Sequence, residues 1–414
     1  MIRFVHTADI HFGMENYGKL DPVTGIHSRL NDFHRALSFC IDTAIEEKVD
    51  FFLFAGDAYR TAHPTQTQQK LFVQLFMRLY RAGIPVVIIV GNHDQPVSFG
   101  KAHTLDIFGQ LPVDGFHVCA KPTTLRLDTN GGPVQIVGIP WPTRSSLSLA
   151  TSRLQHTATE ISMQVSRGVA QIIAKLASEL DPDTPAVLAG HLTVSNGLFS
   201  GSEKRAIYGS DPLLTPSQLA IEPFDYVALG HLHRYQQLNP AGPIPIVYAG
   251  SVERIDFGER KEKKGFCLVS ISSKGQTQHS FIETPTRPFV QIEVHLKEGL
   301  PQTEEVVAAI GAHNIDDAIV KILYHIPPGK LDAVDLKQIQ RACGSAAHIA
   351  AITPIHSVLA RTQRLTLPKR GADLAQLLGS YFDTKPELQE RKDQLIKMGL
   401  ALASQAEQSE VADT

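Results

Sequence analysis

The chain has 414 residues, of which 43% are hydrophobic and 20% are charged, so it is long enough for two or three globular domains with large cores. Its formal net charge is −3, whereas a protein that binds nucleic acid unaided usually has a basic surface, because phosphate neutralisation supplies much of the affinity. The composition therefore argues against a simple DNA-binding module. It still allows an enzyme with a local basic groove, or one that shares DNA with a partner.

The cysteines and the apolar stretches bear on the compartment. The 4 cysteines are scattered and form no CxxC pair, which argues against zinc fingers and a disulfide scaffold. The longest apolar stretches fall far short of the roughly 20 residues that a membrane helix needs. The first residues pass from a strand-like run directly into polar residues, without an apolar core of signal-peptide length. We therefore expect a cytoplasmic protein with no membrane partner.

The first half of the chain alternates strand-like and helix-like segments. Periodic apolar residues predict helices over residues 28–48 and 66–82, and short apolar runs predict strands over 2–6, 50–54 and 85–90. This order is typical of an α/β sheet with parallel strands. Later segments are richer in strands, so we expect two stacked sheets. These later elements are a helix over 152–179 and strands over 116–119, 134–139, 186–189, 226–229, 246–248, 266–271 and 280–282.

The last third of the chain predicts a small α+β domain and a helical tail. A proline-containing linker precedes the small domain, and the tail carries Leu388, Leu395 and Leu402 at seven-residue spacing. We predict three parts: residues 1–283, 289–365 and 371–408. Within the last two, the predicted elements are strands over 289–295 and 318–324 and helices over 303–312, 331–342, 372–382 and 386–405.

Five short polar motifs each follow a predicted strand. Because strand ends on one edge of an α/β sheet meet at a shared crevice, residues far apart in sequence should come together there. Their carboxylate, imidazole and amide groups favour divalent ions such as Mn²⁺, Fe²⁺ or Zn²⁺. Each motif alone could be an ordinary turn, but five in this arrangement favour a metal site. The motif residues are Asp9 and His11; Asp57; Asn92, His93 and Asp94; His191; and His231 and His233.

The glycines that precede several of these residues are part of the pattern. They should let the backbone turn sharply and bring the side chains into the crevice. Such glycines stand before Asp57, Asn92, His191 and His231.

This motif set resembles the signature blocks of the calcineurin-like metallophosphoesterases. A segment with Ser251, Glu253 and Glu259, together with Arg29 and Asp32, is also similar to the SbcD-type DNA repair exonucleases of that superfamily. The resemblance implies a four-layer α/β/β/α metallophosphoesterase sandwich. A small α+β capping domain and a C-terminal helical partner-binding segment would follow it.

The resemblance also implies a role for each motif residue. Two divalent ions per chain are expected, Mn²⁺ first, with Fe²⁺, Mg²⁺ or Zn²⁺ as alternatives. Asp57 would bridge them; Asp9, His11 and His233 would complete the shell of one ion, and Asn92, His191 and His231 that of the other. His93 would protonate the leaving oxygen instead of binding an ion, and Asp94 would orient His93.

Basic residues near the motifs are candidates for contacts with DNA. Arg60 stands where archaeal and eukaryotic relatives have a histidine, and it could bind a phosphate or be a solvated loop arginine. A cluster that includes Lys261 and Lys263 could likewise contact phosphate or be a solvated hairpin. The candidate DNA contacts are Arg60, Arg254, Lys261 and Lys263.

The function that the resemblance implies is that of a DNA repair and recombination nuclease, with 3′→5′ exonuclease and single-strand endonuclease activity. Its partners would be DNA, a second copy of the chain, and an SbcC-type ABC ATPase with a coiled coil. The chain has no GxxxxGK[ST] motif, so ATP hydrolysis would come from that partner, which Leu388, Leu395 and Leu402 would contact within a heterotetramer. Bound to DNA, the complex would lie at the nucleoid. The alternatives are a phosphodiesterase or phosphatase with a non-DNA substrate and a non-catalytic scaffold.

Overall fold

The computed structural model describes residues 1–96, 102–110, 114–143, 157–201, 211–356, 373–383 and 386–412. The chain divides into two compact units. The larger unit comprises Met1–Ile292, Val307–Leu323 and Asp335–Ile352, and the smaller comprises Glu293–Val306, Tyr324–Val334 and Thr353–Thr414. Among the described helices, none is long and apolar enough to cross a membrane.

Seventeen strands are found in the described residues. They are β1 (Ile2–Thr7), β2 (Phe51–Phe54), β3 (Val86–Ile89), β4 (Phe116–Cys119), β5 (Thr123–Thr129), β6 (Gly132–Ile139), β7 (Ala186–His191), β8 (Thr193–Val194), β9 (Leu213–Leu214), β10 (Tyr226–Gly230), β11 (Gln236–Gln237), β12 (Ile246–Tyr248), β13 (Gly265–Ser273), β14 (Gln276–Glu283), β15 (Phe289–His295), β16 (Ile319–Ile326) and β17 (His348–His356).

The helices alternate with the strands in the first half and dominate the tail. In the described residues they are α1 (Ser28–Glu46), α2 (Gln66–Arg81), α3 (Asp106–Gln110), α4 (Ala158–Ser178), α5 (Pro216–Leu219), α6 (Gln302–Gly311), α7 (Leu336–Ala342), α8 (Leu374–Asp383) and α9 (Lys392–Ala412), with 3₁₀ turns at Phe257–Glu259 and Pro386–Arg391.

Two six-stranded sheets form the centre of the larger unit. The first has the order β14-β13-β1-β2-β3-β4, and the second has the order β11-β12-β10-β7-β6-β5. In the first sheet β1 to β4 run parallel, and in the second β6, β7, β10 and β12 do. A three-stranded sheet, β15-β16-β17, comes later in the chain.

The buried apolar residues fall into layers that explain the stacking. Phe4 and Leu53 of the first sheet pack in one cluster with Ile136 and Val187 of the second, so the two sheets share a core. The outer face of the first sheet packs on α1 and α2, and the outer face of the second packs on α4. These contacts confirm the predicted four-layer α/β/β/α sandwich.

Capping residues set several helix boundaries. Thr65 begins α2 and Thr157 begins α4, each as a capping box in which the threonine and the third helical residue exchange hydrogen bonds with the backbone. The helix predicted over 152–179 therefore begins later than expected, and residues 152–156 lie outside the described part. Asp335 accepts hydrogen bonds from the backbone of Lys337 and Gln338, so α7 begins at Leu336 and not at residue 331.

Candidate metal centre

The predicted motif residues lie at the carboxyl ends of five strands. β1, β2 and β3 are neighbours in the first sheet, and β7 and β10 are neighbours in the second. Asp9 and His11 follow β1, Asp57 follows β2, and Asn92 follows β3. Parallel strands end at the same sheet edge, so the sandwich brings these segments to one crevice, as the sequence predicted.

One group of donor atoms forms around His11 and His233. Their Nε2 atoms face each other at 3.0 Å, and Nε2 of His11 lies 3.6 Å from Oδ2 of Asp57. Asp9, His11 and His233 offer ligand atoms that all lie within 4.8 Å of one another. All four side chains are buried. Such a group can hold one cation.

A second group forms around Asn92. Its amide oxygen lies 2.9 Å from Nε2 of His191 and 3.2 Å from Nδ1 of His231. Nε2 of His191 is also 3.4 Å from Oδ2 of Asp57. Asp57 is therefore close to both groups through the same carboxylate oxygen, which is the position that a bridging ligand needs.

Strained backbone holds several of these side chains in place. Asp9, His11, Asp57 and His231 have φ angles of 50°, 46°, 60° and 102°, a region that residues other than glycine rarely adopt. Each such residue costs roughly 1–3 kcal/mol, and clusters of them are typical of functional sites. The surrounding hydrogen bonds offset this cost; for example, the backbone N–H of His231 donates to both carboxylate oxygens of Asp9, at 2.9 and 3.1 Å.

The glycines serve two different purposes. Gly56 has a φ of +97°, so its turn requires glycine. Gly91 permits a close approach instead, since a Cβ there would lie 2.1 Å from Oδ1 of Asp57. A Cβ at Gly230 would lie 2.1 Å from the carbonyl oxygen of Ala55. The expectation of a sharp turn is thus confirmed at Gly56, whereas close packing explains the other two.

The charges of the centre fit a cation. Burial raises the pKa of Asp9 to about 7, against the opposing effect of His191 and His233. Burial alone would lower the pKa of His191, but Asp57 and Asp9 outweigh it and raise the value to about 9. Burial holds the pKa of His11 well below its usual value, so this imidazole is neutral and has a lone pair to offer. Two buried carboxylates beside neutral imidazoles and an amide oxygen form a donor set for divalent ions.

A further carboxylate, Glu259, supports the centre from behind. Its Oε1 lies 2.9 Å from Nδ1 of His233, and its Oε2 accepts hydrogen bonds from the Lys264 ammonium at 2.9 Å and from the Ile255 backbone at 2.8 Å. Burial favours the neutral acid, but Lys264 and His233 outweigh it and lower the pKa of Glu259 to about 2. The carboxylate is therefore ionised and fixes the ring of His233. Glu259 is part of the motif that resembles the SbcD-type enzymes, but no local pattern in the sequence indicates this contact.

His93 and Asp94 have different surroundings from those predicted. Nδ1 of His93 lies 2.9 Å from the carbonyl oxygen of Arg60. The carboxylate of Asp94 instead accepts backbone hydrogen bonds from Asp57 and Gly91 through Oδ2 and from Ala58 through Oδ1, at 2.9–3.0 Å. The prediction that Asp94 orients His93 is therefore wrong, because both Asp94 oxygens bind the loops that carry the ligands.

The candidate DNA contacts are not equivalent. The side chains of Arg60, Lys261 and Lys263 are exposed. Lys263 pairs with Glu283. The Arg254 guanidinium donates to Oγ1 of Thr286 and to two backbone carbonyls, and burial lowers its pKa. The prediction that Arg254 contacts phosphate is therefore contradicted, because the chain itself already occupies its donors.

An aromatic residue that the motifs did not include also lines the centre. Trp141 follows β6, and its ring lies 4.7 Å from the ring of His231 at an interplanar angle of 35°. It also lies 6.0 Å from the ring of His191. Its position just after a predicted strand is the one signal in the sequence that could have indicated it.

The candidate partner contacts lie in the smaller unit. Leu388 and Leu395 are half-buried, and Leu402 is exposed. α8 and α9 pack closely together, since a Cβ at Gly399 would lie 2.8 Å from Cδ1 of Leu378. Exposed apolar side chains accompany them on these helices, namely Leu374, Leu377, Tyr381, Met398 and Leu400.

Comparison with known proteins gives the family. The chain is 26% identical over 298 residues to the D subunit of the nuclease SbcCD from Staphylococcus epidermidis, which covers 71% of this chain and 72% of that relative. The resemblance noted in the sequence is thereby confirmed.

Solved structures were also compared. A dimetal phosphatase from Danio rerio has a TM-score of 0.38 and 9% identity, and covers 68% of this chain and 99% of its own. A Thermus thermophilus protein has a TM-score of 0.39 and 12% identity, and covers 68% of this chain and 98% of its own. The sequence pattern of the calcineurin-like phosphoesterases matches residues 2–235, which is more than half of the chain. The chain therefore belongs to the calcineurin-like phosphoesterase family.

Proposed function

We propose that this protein is a metal-dependent nuclease that hydrolyses phosphodiester bonds in DNA, as a 3′→5′ exonuclease and single-strand endonuclease. The observation that carries the proposal is the set of buried donor atoms around Asp57, with the half-buried His93 beside it. The backbone N–H of His93 donates to Oδ1 of Asp57 at 2.9 Å, so the two residues keep a fixed separation. The name of the Staphylococcus epidermidis relative, which is part of a nuclease, supports DNA as the substrate.

The donor set would hold two divalent ions, with Mn²⁺ the first expectation. Asp9, His11 and His233 would hold one ion, Asn92, His191 and His231 the other, and Asp57 both. When bound, such ions polarise the phosphoryl oxygens and supply a hydroxide nucleophile at neutral pH. Glu259 and the carbonyl oxygen of Ala55 would orient the rings of His233 and His191 from behind, at 2.9 and 2.8 Å.

His93 would act as the general acid. If its Nδ1 donates to the carbonyl oxygen of Arg60, its Nε2 is the nitrogen that can give a proton to the leaving oxygen. A phosphodiester has a poor leaving group, so a positioned acid should contribute roughly 10²–10⁴-fold to the rate. The edge of the His93 ring lies against His11, with centroids 4.8 Å apart, which holds the imidazole beside the donor atoms.

The strand of substrate would cross exposed basic side chains. Arg60 is exposed and is part of the loop whose carbonyl oxygen contacts His93. Lys261 and Lys263 add exposed positive charge. The net charge of −3 means that these residues alone give weak affinity, so firm binding requires a partner surface.

We propose that this partner is an SbcC-type ATPase. Its docking segment would be the tail helices α8 and α9, whose exposed apolar side chains are of the kind that a hydrophobic groove receives. A second copy of the chain would complete a heterotetramer that works at the nucleoid in DNA repair and recombination. The name of the relative, which makes it one component of SbcCD, supports this assembly.

The experiment is a cleavage assay with the purified full chain and Mn²⁺. The substrates are linear duplex, hairpin and single-stranded DNA and a chromogenic small phosphodiester, each with and without the ATPase. We expect cleavage of single strands by the chain alone and ATP-stimulated cutting of duplex ends with the partner. Asp57→Ala serves as the control for contaminating nuclease. Cleavage of the small phosphodiester without cleavage of any DNA would instead favour a non-DNA substrate, and no cleavage with normal metal content would favour a scaffold.

A further inference from the structure

A second cluster of metal-binding side chains lies in the smaller unit, outside the centre described above. Glu293 and His295 are two residues apart on β15, so their side chains point to the same face of the sheet. His325 lies on the neighbouring strand β16. These three residues offer one ligand atom each, all within 4.8 Å of one another.

The alternation of burial shows that this face is turned to solvent. Along β15, Ile292 and Val294 are buried, whereas Glu293 and His295 between and after them are exposed. Along β16, Tyr324 and Ile326 are buried and His325 between them is half-buried. The cluster therefore has no part in filling the core, and an ion can reach it from solvent.

The side chains are already arranged around a common point. Nε2 of His325 lies 2.7 Å from Oε1 of Glu293. The rings of His295 and His325 are stacked, with centroids 4.1 Å apart and an interplanar angle of 15°, so their nitrogens lie side by side. The backbone N–H of Leu296 donates to the carbonyl oxygen of His325 at 3.0 Å, which fixes the two strands together beneath the cluster. Little ordering is then left for binding to impose.

We propose that Glu293, His295 and His325 form a binding site for a borderline divalent transition-metal ion, with Zn²⁺ as its best occupant. Two imidazoles and one carboxylate are a donor set that zinc uses with a water molecule in the fourth position. Tetrahedral bonds of about 2.1 Å place ligand atoms about 3.4 Å apart, so closing the cluster needs about an ångström of movement, which side-chain torsions can supply. The ion links β15 to β16. This inference does not rest on the proposed nuclease activity.

The test measures zinc in the full chain. Wild type, His295→Gln, His325→Gln and Glu293→Gln are stripped with chelator, dialysed against buffered micromolar Zn²⁺, and analysed by mass spectrometry for metal per chain. His356→Gln is the matched control, because His356 is an exposed histidine of β17 in the same unit and is not part of the cluster. We expect each histidine variant to hold one Zn²⁺ fewer per chain than wild type and His356→Gln, and Glu293→Gln to bind that ion at least tenfold more weakly.

A second measurement protects the test against misfolding. Zn²⁺ added to wild-type chain labelled with ¹⁵N-histidine should shift the ring signals of His295 and His325 in a saturable manner with a stoichiometry of one, and should leave His356 unshifted. Equal zinc content in all five proteins would overturn the proposal. So would a loss shared by His356→Gln, or a titration in which the rings of His295 and His325 do not respond.

Discussion

His93 differs in its surroundings from the buried histidines of the metal centre. It is half-buried, its Nδ1 contacts a backbone carbonyl at 2.9 Å, and its backbone N–H binds Asp57. A residue that gives a proton and binds no ion should be separable from metal binding. We therefore expect His93→Gln to keep its metal content and to lose roughly 10²–10⁴-fold in the rate of DNA cleavage.

The measurement for His93 pairs metal analysis with single-turnover cleavage of single-stranded DNA in Mn²⁺. His63→Gln is a suitable control, because His63 is an exposed histidine a few residues from Arg60. It should cleave at the wild-type rate. A His93→Gln protein that loses metal in proportion to its activity would show that His93 is a ligand.

Glu259 acts on the centre through His233 and not by touching an ion. Its carboxylate is ionised and buried, and it holds both Nδ1 of His233 and the ammonium of Lys264, each at 2.9 Å. Removing the charge should loosen the ring and weaken the ion that His233 serves by about 10–100-fold. We expect Glu259→Gln to show this loss in a Mn²⁺ titration and to recover its cleavage rate at high Mn²⁺.

Glu262 provides the matched control for Glu259. It also pairs with Lys264, at 3.0 Å, but the structure records no contact between it and His233. Glu262→Gln should therefore leave the Mn²⁺ dependence unchanged. If both variants shift the Mn²⁺ titration equally, the Lys264 ion pairs act generally on stability, and the positioning role of Glu259 is wrong.

At the scale of elements, α1 carries two aspartates in contrasting environments. Asp32 is buried and pairs with the buried Arg29 at 2.9 Å and with Arg287 at 2.7 Å. Asp42 is more exposed and pairs with Arg78. Removing one member of a buried pair leaves an uncompensated charge in a poorly solvated place.

We expect Asp32→Ala to lower the free energy of unfolding by about 3–5 kcal/mol. Asp42→Ala should lower it by less than about 1 kcal/mol, because solvent screens the exposed pair. Urea denaturation of both variants, followed by tryptophan fluorescence and circular dichroism, measures the difference. Similar losses in the two variants would mean that the buried network contributes no more than an ordinary surface pair.

The elements that sequence predicted well are those with long apolar periods. The helices predicted over 28–48 and 66–82 are found as Ser28–Glu46 and Gln66–Arg81. β5 and β17 were not predicted, because their burial is mostly partial and their apolar alternation is correspondingly weak. The early start predicted for α7 has a local cause, since Asp335 favours the cap over continued helix.

The metal centre was predictable as a set of residues but not as a set of contacts. Motifs at strand ends, together with parallel topology, were enough to bring Asp9, Asp57 and His191 to one crevice. The true partners of Asp94 and Arg254 depend on how segments far apart in sequence pack, and both predictions failed for that reason. The contacts of Glu259 and Trp141 were missed on the same ground. The positive φ angles likewise follow from tertiary contacts that no local pattern displays.

At the scale of the whole molecule, the tail separates partner binding from chemistry. None of the donor residues of the metal centre lies in α8 or α9, which belong to the smaller unit. Exposed apolar side chains on two packed helices are unusual unless another protein covers them. We therefore propose that the tail can be altered without loss of the intrinsic cleavage activity.

Replacement of Leu388, Leu395 and Leu402 by Asp should abolish co-purification with the SbcC-type ATPase and ATP-stimulated cutting of duplex ends. Truncation at Thr366, a position outside the described residues, should do the same. Both proteins should keep Mn²⁺-dependent cleavage of single-stranded DNA within about twofold, since charged residues in an apolar contact weaken docking and leave the metal centre unchanged. Because Leu388 and Leu395 are half-buried, Leu402→Asp alone tests a position that is 63% exposed, and Leu20→Asp, at 64%, is its control in the larger unit. A truncated chain that still co-purifies with the ATPase would place the docking surface elsewhere.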